Sequence, residues 1–336
     1  MSLVADWYSP RPSILAIALR PLSLAFGALV AVRRALYRSG LRRSVPLPVP
    51  VVIVGNITVG GSGKTPLVAA LVEALSRRGF HPGVVSRGYG REREEGAPII
   101  VGANDDPRRV GDEPLLLARA GCAVSVARDR VAAAFALLAR RPETDVIIAD
   151  DGLQHYRLQR TFEIAVVDAA RQLGNGWLLP AGPLREPAAR LREVDAVVLL
   201  EADDARASDL HPNAFTMRLD PADFARVGKP SVTSPASAFA GEGVHAIAGI
   251  GNPSRFFAQL GALGINAVPH PFPDHHRFTA ADLAIPGARV VLMTEKDAVK
   301  CESFADERCW YLPVRARLDD NFVALIEERI RGSKAA

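Results

Sequence analysis

The sequence predicts an α/β protein: a doubly wound, mostly parallel sheet, a second, smaller α/β domain after it, and a membrane-associated helical segment before it. Three observations carry this. Short runs rich in β-branched residues, beginning at 51–54, recur between stretches of helical periodicity, a rhythm that puts helices on both faces of a parallel sheet. A glycine-rich turn joins the first of these strands to a helix. The charge is also uneven: the net +4 over 336 residues divides into +6 for residues 1–43, with seven arginines against Asp6 alone, and −2 for the remaining 293.

With 49% hydrophobic and 23% charged residues, the chain can bury a large core, which excludes intrinsic disorder. Cys122, Cys301 and Cys309 show no CxxC spacing, so neither a disulfide scaffold nor a zinc cluster is predicted. A nearly neutral body with 6% aromatic residues argues against a nucleic-acid partner.

Residues 13–32 read SILAIALRPLSLAFGALVAV, apolar except for two serines and the central Arg20-Pro21. A mid-span arginine costs about 2.5 to 3.5 kcal/mol on insertion. The segment therefore predicts one helix, or two broken at Pro21, lying in the headgroup region rather than crossing it. Arg33, Arg34, Arg38, Arg42 and Arg43 follow as a flank suited to anionic lipid, so residues 13–43 are predicted to face a membrane surface. The alternative is an ordinary buried amphipathic helix. Prolines 46, 48 and 50 then end any helix.

Further strands are predicted at 81–86, 122–126, 145–149, 163–167 and 196–200, with helices at 65–77 and 128–140. The rhythm stops near 201–242. The organisation expected is a membrane-associated segment at 1–43, a main domain at 44–220, a connection at 221–242 and a C-terminal α/β domain at 243–336.

Residues 55–66 read GNITVGGSGKTP between the first strand and its helix. Such a loop presents backbone N–H groups and a helix N-terminus to phosphate oxygens, with the lysine on the β- and γ-phosphates and the threonine on Mg²⁺. Thr58, Val59, Gly60, Gly61, Ser62, Gly63, Lys64 and Thr65 are thus the predicted ATP cradle, and the main domain is P-loop NTPase-like. Thr58 replaces the first glycine of the general motif. Lys64-Thr65 is nonetheless intact, in a chain with 36 arginines and five lysines. A plain glycine turn explains neither the lysine nor the strand before it. A hydrophobic strand ending in acid should complete the site, and VIIADDG supplies it, with Asp150 and Asp151 as candidate Mg²⁺ ligands. Asp-Asp-Gly is by itself also a good turn.

Phosphoryl transfer to a hydroxyl needs a base near the acceptor and cations over the moving charge. Asp112 and Glu113 precede a predicted helix, where they could equally cap it; Asp274-His275-His276 lies in a proline-rich loop. Arginines in SRGYG and LREP suit anionic groups, although each alone is a common surface charge.

In order along the chain, GNITVGGSGKTP, SRGYGR, GDEP, ARDR, DDGLQH, LPAGPLREP, AGIGNPSRFF, FPDHHRF and MTEKDAVK resemble the tetraacyldisaccharide 4′-kinases of lipid A synthesis, over about residues 10–330. That family also carries threonine at the Thr58 position and a membrane-associated N-terminal helix. The resemblance implies transfer of the ATP γ-phosphate to the 4′-hydroxyl of a membrane-embedded tetraacyldisaccharide 1-phosphate, giving lipid IVA, at the cytoplasmic face of the bacterial inner membrane. It implies Asp112 as the catalytic acid/base with His275 as partner, Lys64 and Thr65 on ATP and Mg²⁺, and Asp150 and Asp151 on the metal. Gln154, Arg128 and Arg185 would contact substrate, with His276 as the substitute for His275 and Arg130 as that for Arg128. Two rivals remain: a membrane-bound partitioning ATPase, whose pattern has lysine where this chain has Val59, and a soluble small-molecule kinase.

Overall fold

The computed structural model describes residues 3–9, 11–92, 96–201 and 211–334. Strands β1 (Val51–Gly55), β2 (Pro82–Ser86), β3 (Ile99–Val101), β4 (Ala123–Val126), β5 (Val146–Asp150), β6 (Phe162–Asp168), β7 (Ala196–Leu200) and β8 (Ala214–Pro221) form the main sheet together with β15 (Val314–Arg317). Their order is β15-β8-β7-β6-β1-β5-β2-β4-β3, all parallel except the two edge strands β15 and β3. The fold is thus mixed α/β around a large, mostly parallel sheet.

Both faces of this sheet are covered, which is why its strands read as continuous apolar runs rather than alternating ones. Val52 and Val54 of β1 join Leu67, Leu71 and Leu75 in one core; Val51 and Ile53 join Val131, Ala134 and Leu137 in the other. The first set comes from the helix Lys64–Arg77 and the second from the helix Arg130–Arg140, on opposite sides. β1 lies between β5 and β6, where the direction of winding reverses, so the loops leaving β1 and β5 open into one crevice.

The second sheet has the order β10-β9-β14-β13-β11-β12, from β9 (Phe224–Arg226), β10 (Lys229–Ser234), β11 (Val244–Ala248), β12 (Val268–Pro271), β13 (Val290–Thr294) and β14 (Cys309–Leu312). Two expected boundaries change. Residues 221–242 are no mere connection, because β9 and β10 form an antiparallel hairpin on the edge of this sheet. Nor does the C-terminal stretch stay with it. β15 pairs antiparallel with β8, and Phe322, Val323, Ile326 and Ile330 of the helix Asp320–Lys334 enter the same core as Leu67 and Leu71. The return gives β8 a partner and buries an apolar helix face.

At the N-terminus, helices Ile14–Ala18 and Arg20–Arg38 meet at Leu19. The break precedes Pro21 because proline is tolerated in a helix's first turn, where no N–H partner is lost. Among the described residues no helix is long and apolar enough to cross a membrane.

Candidate active site

The glycine-rich loop leaves β1 and enters the helix Lys64–Arg77 through Gly63, at φ 82°. A β-carbon there would meet Leu200 Cδ2 at 2.8 Å, so glycine is required on both backbone and packing grounds. Asn56, fully buried, donates from Nδ2 to Thr58 Oγ1 and Gly60 O, each at 3.4 Å, and so shapes the turn. Val59 N donates to Pro183 O at 2.9 Å, and Thr58 bridges to Leu184. The first two cradle residues are therefore tied to the scaffold, leaving Gly60 to Thr65 around the helix end.

Lys64 Nζ lies 3.5 Å from Asp151 Oδ1, and Arg185 Nη1 donates to both oxygens of that carboxylate at 3.2 and 3.1 Å. Although burial favours protonation, these two cations hold Asp151 well below the usual carboxylate range. Asp151 itself sits at φ 48°, a strained conformation held by its surroundings. Its neighbour Asp150 is only 1% exposed; Ser86 Oγ donates to one oxygen at 3.2 Å and the other oxygen has no partner. Burial, with the charges of Glu113 and Asp151, pushes Asp150 up to about 7. Ser62 Oγ is likewise buried without a partner. Oxygen atoms left unpaired beside a helix N-terminus suit a hard cation that completes its shell with phosphate oxygens and water. Among the described residues no three His, Cys, Asp or Glu side chains converge on a self-contained metal site. One or two carboxylates are what a phosphate-bound Mg²⁺ ordinarily takes.

Across the crevice, Asp112 opens the helix Asp112–Arg119, its Oδ1 accepting from Glu113 N at 2.9 Å. Its Oδ2 is 3.3 Å from Nδ1 of His275. His275 comes from the second sheet's loop and adopts φ 58°, with its N–H on Gly249 O at 3.2 Å. The pair thus exists only where the two sheets meet. Burial pushes the Asp112 carboxyl up, but Lys296 and His275 outweigh it and hold it at about 2. Tyr89 lies edge-on to the His275 ring at 4.7 Å.

His276 is engaged elsewhere. Its Nε2 sits 3.4 Å from Asp282, and its ring packs with Phe272 and Phe278. Successive side chains of the turn point apart, and the aromatic pair claims His276. Gln154 Nε2 donates to Asn56 O at 3.1 Å and Glu186 Oε1 at 2.8 Å, while the Gln154 backbone carbonyl accepts from Arg33 at 3.1 Å. Arg128 is exposed and lines an open cavity of about 430 Å³ with Asp129, His155 and Arg157. Arg130 is buried instead and donates to the carbonyls of Arg128 and Asp151, so it braces the turn rather than facing the cavity.

Glu186 and Lys296 escaped the sequence reading. Glu186, buried, accepts from Gln154 and from Tyr156 Oη at 2.6 Å. Lys296 Nζ is 2.8 Å from Glu113. Their signal was an acid beside Arg185 in LREP and a lysine in TEKD, a motif with no role assigned from sequence. The loop 249–252 also meets the glycine turn: a β-carbon on Gly251 would lie 2.3 Å from Gly61 N, while Arg171 donates to Gly251 O at 2.6 Å.

A doubly wound sheet with a lysine-bearing glycine loop at its winding reversal, faced by a carboxylate–histidine pair, defines a phosphotransferase acting on a hydroxyl group. Residues 15–331 match the family model for tetraacyldisaccharide-1-P 4′-kinase (LpxK), and the chain belongs to that family. It is 53% identical over 326 residues to the tetraacyldisaccharide 4′-kinase of Azoarcus sp., covering 97% of this chain and 94% of that one. Against the enzyme of the same name from Aromatoleum aromaticum it is 54% identical over 321 residues, 95% and 94% of the two chains. The crystal structure of LpxK from Aquifex aeolicus in complex with ATP superposes with a TM-score of 0.74 at 29% identity, covering 94% of this chain and all of the other.

Proposed function

We propose that this chain transfers the γ-phosphoryl group of ATP to the 4′-hydroxyl of a tetraacyldisaccharide 1-phosphate while seated on the cytoplasmic face of the inner membrane. The observation that carries the site assignment is the Asp112–His275 contact, formed between the two sheets and opening on the same crevice as Lys64. Asp112, kept ionised, takes or orients the acceptor's proton, and His275 holds that carboxylate in place. Lys64 and the amides of Gly60 to Thr65 draw charge off the β- and γ-phosphates. Thr65, Asp150 and Asp151 would hold Mg²⁺, which when bound offsets phosphate charge. The Lys64–Asp151 contact keeps the lysine at the loop mouth until nucleotide competes for it. Arg185 braces Asp151, Gln154 joins the loop to the N-terminal helix, and Arg128 with Arg157 offers cations to the anionic sugar headgroup.

The helices at 14–38 support surface attachment. Ile14 is 88% exposed, and Leu15, Ile17, Leu22, Leu24, Leu29 and Val32 are also exposed. Apolar side chains in such number, followed by arginines, suit insertion into the headgroup boundary. The acyl chains of the substrate can then stay in the bilayer while the sugar reaches the crevice.

The test is incubation with ATP, Mg²⁺ and the disaccharide 1-phosphate, followed by locating the new phosphate. Asp112→Ala should lower kcat by about 10²- to 10⁴-fold and leave ATP affinity nearly unchanged. Near-normal turnover in that variant would remove Asp112 from the mechanism.

A further inference from the structure

The helix Glu295–Cys301 of the second sheet packs on the helix Asp112–Arg119 of the first. At its far end Arg119 grips Glu302 through Nη1 and Nη2. At its near end stands Lys296, its side chain 17% exposed. Its Nζ lies 2.8 Å from Glu113 Oε1, 3.9 Å from Asp112 Oδ2, 3.7 Å from Asp274 Oδ1 and 3.5 Å from His275 Nε2. One ammonium is therefore ringed by carboxylates from both sides of the junction and by the far edge of the imidazole that touches Asp112.

This corner needs a compact charge. Three carboxylates in a mostly buried space repel one another, and an ammonium carries three donors that can turn toward separate acceptors. A guanidinium would instead pair its planar fork with one of them. The adjacent Asp297 fixes the same region from below: it accepts from Gly249 N at 3.0 Å, and Gly249 O receives the His275 amide. One helical turn thus sets both the backbone and the charge environment of His275.

We propose that Lys296 is a positioning residue for phosphoryl transfer, its ammonium bridging Asp112 and Glu113 to Asp274 across the sheet junction so that Asp112 stays charged and aligned with His275. The proposal rests on the reading of Asp112 and His275 as the proton-handling pair. Lys296 acts through that pair, without touching either substrate.

The experiment is the pH profile of kcat/KM for the full chain carrying Lys296→Met, beside wild type and Asp112→Asn. The groups facing the pair are Glu113 on its own helix, Asp274 in the histidine loop, Tyr89 against the ring, and Lys296 and Lys300 on the packed helix. Removing one positive charge raises the proton affinity of the Asp112 carboxylate, which Lys296 helps to hold at about 2. The acid limb that Asp112 sets should therefore move up by about 1 to 2 pH units and stay below about pH 5, with kcat at pH 7 down about tenfold from lost alignment of the pair, no recovery at pH 9 and ATP KM within about twofold. A loss equal at every pH, with the limb in place, would mark a purely structural residue and overturn the proposal. So would a wild-type rate and limb alongside an inactive Asp112→Asn. If Asp112→Asn instead keeps its turnover, the pairing itself fails. Should Lys296→Met not fold, Lys296→Gln, which keeps two donors without the charge, decides by the same readouts: an acid limb moved up supports the role, and a limb in place refutes it.

Discussion

Asp150 is held at a cost to the folded protein, and that cost can be measured. Its carboxyl ends β5 fully enclosed, bonded to Ser86 on one oxygen and unpartnered on the other. Asp150→Asn keeps the volume and an acceptor for Ser86 while removing the charge. Burial, then Glu113 and Asp151, lift the group from 3.8 to about 7. At about 1.4 kcal/mol per pH unit, the ionised form costs at most about 4 kcal/mol above pH 7. The folded value lies above the unfolded one, so between pH 4 and 7 the native chain holds more protons than the unfolded chain. Stability from this group is full below about pH 4 and is lost as pH rises through about 7. Comparing pH 5 with pH 8 spans about two of those pH units, or about 2 to 3 kcal/mol. Urea unfolding in EDTA at the two pH values should show the asparagine variant gaining that much on wild type at pH 8 relative to pH 5. In Mg²⁺ and ATP the order should reverse, since only wild type can bind the cation through a charged oxygen. A stability difference between variant and wild type that is the same at both pH values would refute the reasoning.

Two further outcomes follow from the geometry. Gly63→Ala forces a β-carbon at φ 82° to within 2.8 Å of Leu200 Cδ2. It should cost about 1 to 3 kcal/mol in thermal unfolding and raise the ATP KM about tenfold or more; an unchanged KM would show that the loop's shape does not set nucleotide binding. In flotation with vesicles containing anionic lipid, the full chain should rise with the lipid, and more weakly at 0.5 M salt, whereas a chain beginning at Val45 should stay below. Failure of the full chain to float would favour a packing role for residues 13–32.

The parts of this molecule that were legible in its sequence are those whose chemistry is local. A strand buried on both faces must be a continuous apolar run, so β1, β5, β6 and β7 were visible as such. A phosphate loop needs glycine, lysine and threonine at adjacent positions, and a chain with five lysines makes Lys64 conspicuous. The hairpin β9–β10 and the returning β15 were hidden for the opposite reason: β10 is nearly all exposed and β15 is an edge strand, so neither repeats a burial pattern, and the strands they dock on, β14 for the hairpin and β8 for β15, lie far away in sequence. The site divides along the same line. His275 and His276 are equivalent in sequence, and only the left-handed turn at His275 and the aromatic pair Phe272 and Phe278 send one to Asp112 and the other to Asp282. Lys296 is the extreme case. In TEKD it reads as an ordinary residue in a helix's first turn, and its meaning comes from Glu113, 183 residues earlier, brought opposite by helix packing between two sheets. The nucleotide half of this site is therefore written in one short loop, while the proton-handling half exists only when the second sheet is docked on the first. Disturbing that junction should impair turnover before nucleotide binding.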